Sequence, residues 1–216
     1  MLVLCDNDLI LKLAQCGLIC ELPALLGETP EQMYVTAAAR YQLLRKSESK
    51  GIEYCGNSET YKRLKDFLDR TNELPPVHNT EILLSLTSVP NIDSGEQLLF
   101  AASVELEGAI LLTGDKRALE SLLSRRESVP EVFEAVKDAV VTFESALLLA
   151  LVRMGFPSLK QKLLGNPKPD GVLRTILRDS LTEETLIECL CSYIRGLSIF
   201  LAFKDSLPSR LTGAAD

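Results

Sequence analysis

Residues 2–11, "LVLCDNDLIL", place an apolar run against two aspartates and then begin a second apolar run. The first run is continuous rather than alternating, as in a strand buried on both faces of a sheet. From Leu9 the apolar positions 9, 10, 13, 14 and 18 share one side of a helix that ends near Gly17. A strand-to-helix turn needs at most one polar cap, yet both Asp6 and Asp8 stand here. Either they cap the helix or they hold something.

Outward from this unit the same alternation repeats. "QMYVT" (32–36) reads as a second strand, and "AAARYQLLRK" (37–46) as a helix with Thr36 as its N-cap. "ETYKRLKDFLDRT" (59–71) and "TEILLSL" (80–86) read as helices, and "IDSGEQLLFAASVE" (92–105) as a loop entering a helix. "GAILLTGD" (108–115) is the clearest strand, "KRALESLLSR" (116–125) is helical, and "AVVTF" (139–143) is a last strand before "ESALLLALVRMG". Strands alternating with helices predict a central parallel sheet covered on both faces, a three-layer α/β/α sandwich.

After Gly155 strand signals stop, and "GFPSLKQKLLGNPKPDG" brings three prolines. The expected division is an α/β domain over residues 1–155 and a helical extension over 156–216. The apolar stretch "TLIECLCSYIRGLSIFLAF" (185–203) contains Glu188 and Arg195, so it reads as a buried amphipathic helix rather than a membrane span. The closing "LTGAAD" (211–216) is expected to fray.

Composition narrows the partners. The chain has 216 residues, a formal net charge of −7 and a pI near 4.9, so no global basic field gathers nucleic acid. Any such contact needs a local patch or a metal. Six cysteines, no C-x-x-C and a single histidine, His78, leave little for a zinc site. The cysteines read as buried free thiols, which favours a reducing compartment. No basic leader precedes the first strand, so a cytoplasmic location is expected.

In a parallel α/β sheet, functional residues collect beyond the carboxyl ends of the strands. Asp6 follows the first strand and Asp115 follows "AILLTG". Asp93 and Glu96, three residues apart, can share the first turn of one helix. Four carboxylates from three segments are thus expected on one edge of the sheet. Crowded like charges repel, and burial sharpens the repulsion. Hard oxygen ligands select Mg²⁺ or Mn²⁺, ions that activate water and stabilise the charge of a phosphodiester undergoing cleavage. The plainer alternative is that each acid caps its own helix or meets its dipole.

Four segments, "LVLCDNDLILKLAQCGLI", "YVTAAARYQLLRK", "DSGEQLLFAAS" and "AILLTGDKRAL", resemble the PIN-domain nucleases in order and spacing, over residues 1 to about 125–150. That resemblance implies a Rossmann-like sandwich and metal-dependent cleavage of single-stranded RNA or flap-type substrates. It implies Asp6, Glu96 and Asp115 as catalytic acids, Asp93 as a further ligand, and Thr113 as the hydroxyl accompanying Asp115. Many bacterial members of the family are toxins held by an antitoxin partner, and such a partner is an expectation here.

Two departures matter. Where the family has a second acid, in the helix after the second strand, this chain has Gln42, which coordinates only through a neutral carbonyl. Either Asp93 or Asp8 compensates, or the chain is a weakened PIN-like module that binds RNA or a protein. The helical extension is the other departure. It could form a homodimer surface, cover a partner groove, or carry an antitoxin-like segment in cis.

Basic residues concentrate between 40 and 70, where eight cations face five acids, with Tyr41, Tyr54 and Tyr61 available for stacking. The alternative is a set of solvated helix faces. Lys116 and Arg117 are placed to meet a scissile phosphate, whereas His78 reads as a surface residue. There is no P-loop and no G-x-S-x-G. A receiver domain is disfavoured, because acid and lysine stand side by side in "TGDK".

Overall fold

The computed structural model describes residues 1–208. In chain order it runs β1 (Val3–Cys5), α1 (Asn7–Gln15), α2 (Leu22–Leu25), β2 (Met33–Val35), α3 (Ala39–Leu44), α4 (Glu48–Cys55), α5 (Ser58–Leu68) and β3 (Asn72–Glu73). Then follow α6 (Thr80–Leu86), α7 (Ser94–Glu105), β4 (Ile110–Leu112), α8 (Lys116–Ser124), α9 (Pro130–Val136) and β5 (Val140–Val141). The remaining helices are α10 (Phe143–Met154), α11 (Phe156–Leu164), α12 (Gly171–Ile176) and α13 (Glu183–Ile194). The segment "LTGAAD" lies outside the described residues.

All five strands are parallel, in the order β3-β2-β1-β4-β5. The register pairs Val3 with Met33 on one side and with Ile110 on the other. The continuous apolar runs have their cause in the two faces. Val3, Cys5, Ile110, Leu112 and Val141 enter one buried cluster, while Leu4, Leu111 and Val140 enter another. Leu9, Ile10 and Leu13 of α1 and Ala146 to Leu151 of α10 cover the first face. Leu99 to Ala102 of α7, with Leu119 and Leu122 of α8, cover the second. The result is a three-layer α/β/α fold with extra helices, as expected for a sheet that must hide both faces.

The extra helices add to the first cluster. Leu159, Leu163, Leu173, Leu186, Leu190 and Ile194 are buried in the same group as Val3 and Cys5. The stretch 185–203 departs from the single helix expected. Helix α13 ends at Ile194, a 3₁₀ turn covers Arg195–Leu197, and the chain returns to the sheet. There Leu201 forms a parallel bridge with Val140, whose N–H donates to Phe200 O at 2.8 Å and whose carbonyl accepts from Ala202 N at 2.8 Å. The free edge of β5 thereby gains a partner, which side-chain pattern alone does not announce.

Smaller expectations also change. Thr36 is not the cap of α3: the helix starts two residues later, Ala38 holds the cap position, and Thr36 contributes only its backbone carbonyl to Ala39 N. All six cysteines are free, but Cys20 is exposed and Cys189 half-buried. Among the described residues no helix is long and apolar enough to cross a membrane.

Candidate functional site

A strand order of 3-2-1-4-5 reverses direction between β1 and β4, and the crevice beyond their carboxyl ends is the usual ligand position in such sheets. A cavity of about 470 Å³ opens there, lined by Asp6, Asp8, Lys12, Asp93, Glu96, Gly114, Asp115, Lys116 and Arg117. The acids predicted from the sequence, Asp6, Asp93, Glu96 and Asp115, therefore share one cavity. Asp8 joins them, and so do the predicted cations Lys116 and Arg117.

Each element delivers its acid differently. Asp6 occupies the N-cap position of α1 in extended backbone, yet its side chain makes no capping hydrogen bond. Burial first, then the neighbouring charge of Asp8, pushes its carboxyl up to about 6, although the first amides of α1 pull the other way. Asp93 and Glu96 form a capping box at the start of α7. Glu96 N donates to Asp93 Oδ1 at 2.9 Å, and Asp93 N donates to Glu96 Oε2 at 2.9 Å. Glu96 is only 8% exposed. Its carboxyl is pushed up to about 7, by burial above all and then by the charges of Asp115, Asp93 and Asp6, against the Asp93 amide.

Asp115 caps α8, its Oδ1 accepting from Arg117 N at 2.8 Å and Ala118 N at 3.1 Å. Its own N–H donates to Thr113 Oγ1 at 3.2 Å. Thr113 is buried behind the turn and does not line the cavity. The capping alternative thus holds for Asp93, Glu96 and Asp115, and it fails for Asp6. Asp6 meets the first amides of α1 but makes no capping hydrogen bond there.

The sequence reading missed Lys12. Its ammonium lies 2.7 Å from Asp8 Oδ2 and 3.9 Å from Asp170 Oδ2, so one lysine joins the acid cavity to the start of α12. The spacing of Asp8 and Lys12, one helical turn, was the available signal. Gly114 lies beside them, and a Cβ there would stand at ordinary contact distance, 3.4 Å from Asp8 Oδ2 and 3.6 Å from Lys12 Nζ.

Gln42 is exposed and does not line the cavity, but it borders the turn that carries Asp6, because Asn7 Nδ2 donates to Gln42 Oε1 at 2.6 Å. The other end of that amide, Asn7 Oδ1, is buried without a hydrogen-bond partner.

The donor set is made of hard oxygens, the chemistry suited to Mg²⁺ or Mn²⁺. Among the described residues no three Asp, Glu, His or Cys side chains form a ready-made metal-holding group. An ion that keeps several of its own waters and takes one or two carboxylates is the kind that fits this cavity. His78 is exposed, its N–H donating to Glu105 Oε1 at 2.7 Å, away from the acids. No family model, curated protein or solved structure matches the chain.

Proposed function

We propose that this chain is a metal-dependent ribonuclease of PIN type that hydrolyses phosphodiester bonds of single-stranded RNA. The observation that carries the reading is the gathering of Asp6, Glu96 and Asp115, from three distant segments, into one cavity at the switch point of a parallel sheet. Asp6 and Glu96 are both raised there, in part by the other acids. The five lining carboxylates exceed the three lining cations by a formal charge of two, the charge of one Mg²⁺ or Mn²⁺.

Asp6 and Glu96 are the residues that would hold such an ion directly, with Asp115 and Asp93 reaching it through its own waters. The chemistry an ion supplies in that position is activation of water and neutralisation of phosphodiester charge. Lys116 and Arg117, at the rim, attract and orient the substrate phosphate. Asp93 and the α7 capping box hold Glu96 in place.

The test is a cleavage assay on single-stranded RNA with and without Mg²⁺ or Mn²⁺, repeated with Asp6→Asn and Asp115→Asn. Cleavage that needs the ion and disappears in both variants supports the reading. Cleavage in chelator, or undiminished in both variants, ends it.

The Asn7–Gln42 hydrogen bond favours a second reading, in which a neutral amide beside Asp6 leaves a weakened PIN-like module that binds RNA or a protein partner. Persistent RNA binding without cleavage would select it. In either case the thiols suit a reducing, cytoplasmic setting: burial pushes Cys5 and Cys16 up to about 12, which leaves them protonated and inert. An antitoxin-like partner or a second copy of the chain belongs to the same proposal, through the helical extension.

A further inference from the structure

The charge run of residues 40–70 does not present one surface. Arg40 is held by Asp69 at 2.9 Å and by Leu68 O at 2.6 Å, and Lys65 meets the same aspartate at 3.1 Å. Arg63 leans on Glu59 at 3.6 Å. Arg45 and Lys50 instead line a separate cavity of about 370 Å³ with Glu53, Tyr54 and Lys168. Lys168 arrives from the chain after α11, and its ammonium donates to Glu53 O at 2.5 Å and Tyr54 O at 3.2 Å, at the last turn of α4. Three cations therefore stand against one glutamate around a tyrosine.

Arg45 is held there at a cost. Its backbone has φ 61° and ψ 177°, a region populated almost only by glycine. The guanidinium carbon lies 3.7 Å from the Tyr54 ring centroid. The strained turn thus lays a flat cation over an aromatic ring and leaves Arg45 exposed. Arg45 also follows Gln42 by three residues, just past the end of α3, and Gln42 is bonded to the residue next to Asp6. The cationic cavity is thus joined to the turn that carries Asp6 through Gln42 and Asn7.

We infer that this cavity carries the backbone of single-stranded RNA toward the acid site. Lys50 and Lys168 meet phosphates, and a base stacks on the outer face of the Arg45–Tyr54 pair. The inference rests on the ribonuclease reading for its direction. Stacking distinguishes RNA from an acidic polypeptide, because unpaired bases lie flat on guanidinium and aromatic planes.

The experiment is fluorescence-anisotropy binding of a labelled oligouridylate of about 12 nucleotides to the full chain in EDTA, with thermal melting in parallel. Arg45→Gly is the informative variant, because it removes the side chain while relieving the backbone. The expected result is a melting temperature that holds or rises and a Kd weakened about tenfold. Adding Lys50→Ala lowers the slope of log Kd against log salt by about 0.7. Unchanged RNA affinity in both variants, or a wild-type chain that binds no RNA, overturns the inference. So does polyglutamate that displaces the RNA as well as unlabelled RNA does. Binding that depends on Arg45 in an Asp6→Asn protein supports the track even where the cleavage assay rejects the nuclease.

Discussion

Asn7 donates its side-chain amide to Gln42 Oε1 at 2.6 Å, which ties the turn after β1 to the helix after β2. A glutamate at position 42 would accept the same hydrogen bond through its carboxylate. Gln42→Glu is therefore expected to fold with a stability change within about 0.5 kcal/mol. It adds a negative charge one hydrogen bond from the residue after Asp6, which strengthens the field on a divalent cation, so Mg²⁺-dependent RNA cleavage should rise about tenfold or more. Equal cleavage by both proteins across a Mg²⁺ titration would clear Gln42 of limiting the chemistry.

Asp6 stands at a cap position without capping, and its carboxylate is destabilised by burial and by Asp8. Asp6→Asn should then stabilise the metal-free protein at pH 8 by about 1–3 kcal/mol while abolishing cleavage, the signature of a charge kept for function. Denaturant melts in EDTA check the first half and the RNA assay the second. A destabilised variant with full activity would make Asp6 a structural residue.

The raised carboxyls fix the sign of a pH effect. In the folded chain Asp6 and Glu96 hold their protons to about 6 and 7, against ordinary values of 3.8 and 4.5. Between those limits the unfolded chain binds fewer protons than the folded one, so stability falls as pH rises. The two groups favour folding fully below about pH 4. Their contribution is lost by about pH 7, with Asp6 spent first. A Mg²⁺ or Mn²⁺ titration should raise the melting temperature more at pH 8 than at pH 5, because only ionised carboxylates bind the ion. An equal shift at both pH values would contradict binding at these acids.

Leu190 of α13 is fully buried in the cluster that includes Val3 of β1. Leu190→Ala is expected to cost about 2–5 kcal/mol and to lower one shared unfolding transition followed by circular dichroism. Two separate transitions, with only the second moved, would mean that the helices after Gly155 unfold independently of the sheet.

Much of the fold was readable because the signals were local. "LVLC", "AILL" and "AVV" are short continuous apolar runs that end at polar residues, the composition of strands hidden on both faces. β3 was not readable. Asn72 and Glu73 are exposed polar residues, and they pair with Tyr34 and Val35 through backbone groups that any residue carries. The return of Leu201 to Val140 escaped notice for a similar reason: within an apolar run, a bridge of backbone hydrogen bonds has no mark of its own.

The site divides along the same line. The sequence alone determined which acids follow strand ends, since an acid's place after an apolar run is a matter of chain order. Only the tertiary structure decided which of those acids cap helices and which does not. It also brought Lys12 into the cavity and carried Lys168 across the chain to Arg45. Charge and burial act through space, and the distances that set them exist only once the sheet has chosen its strand order.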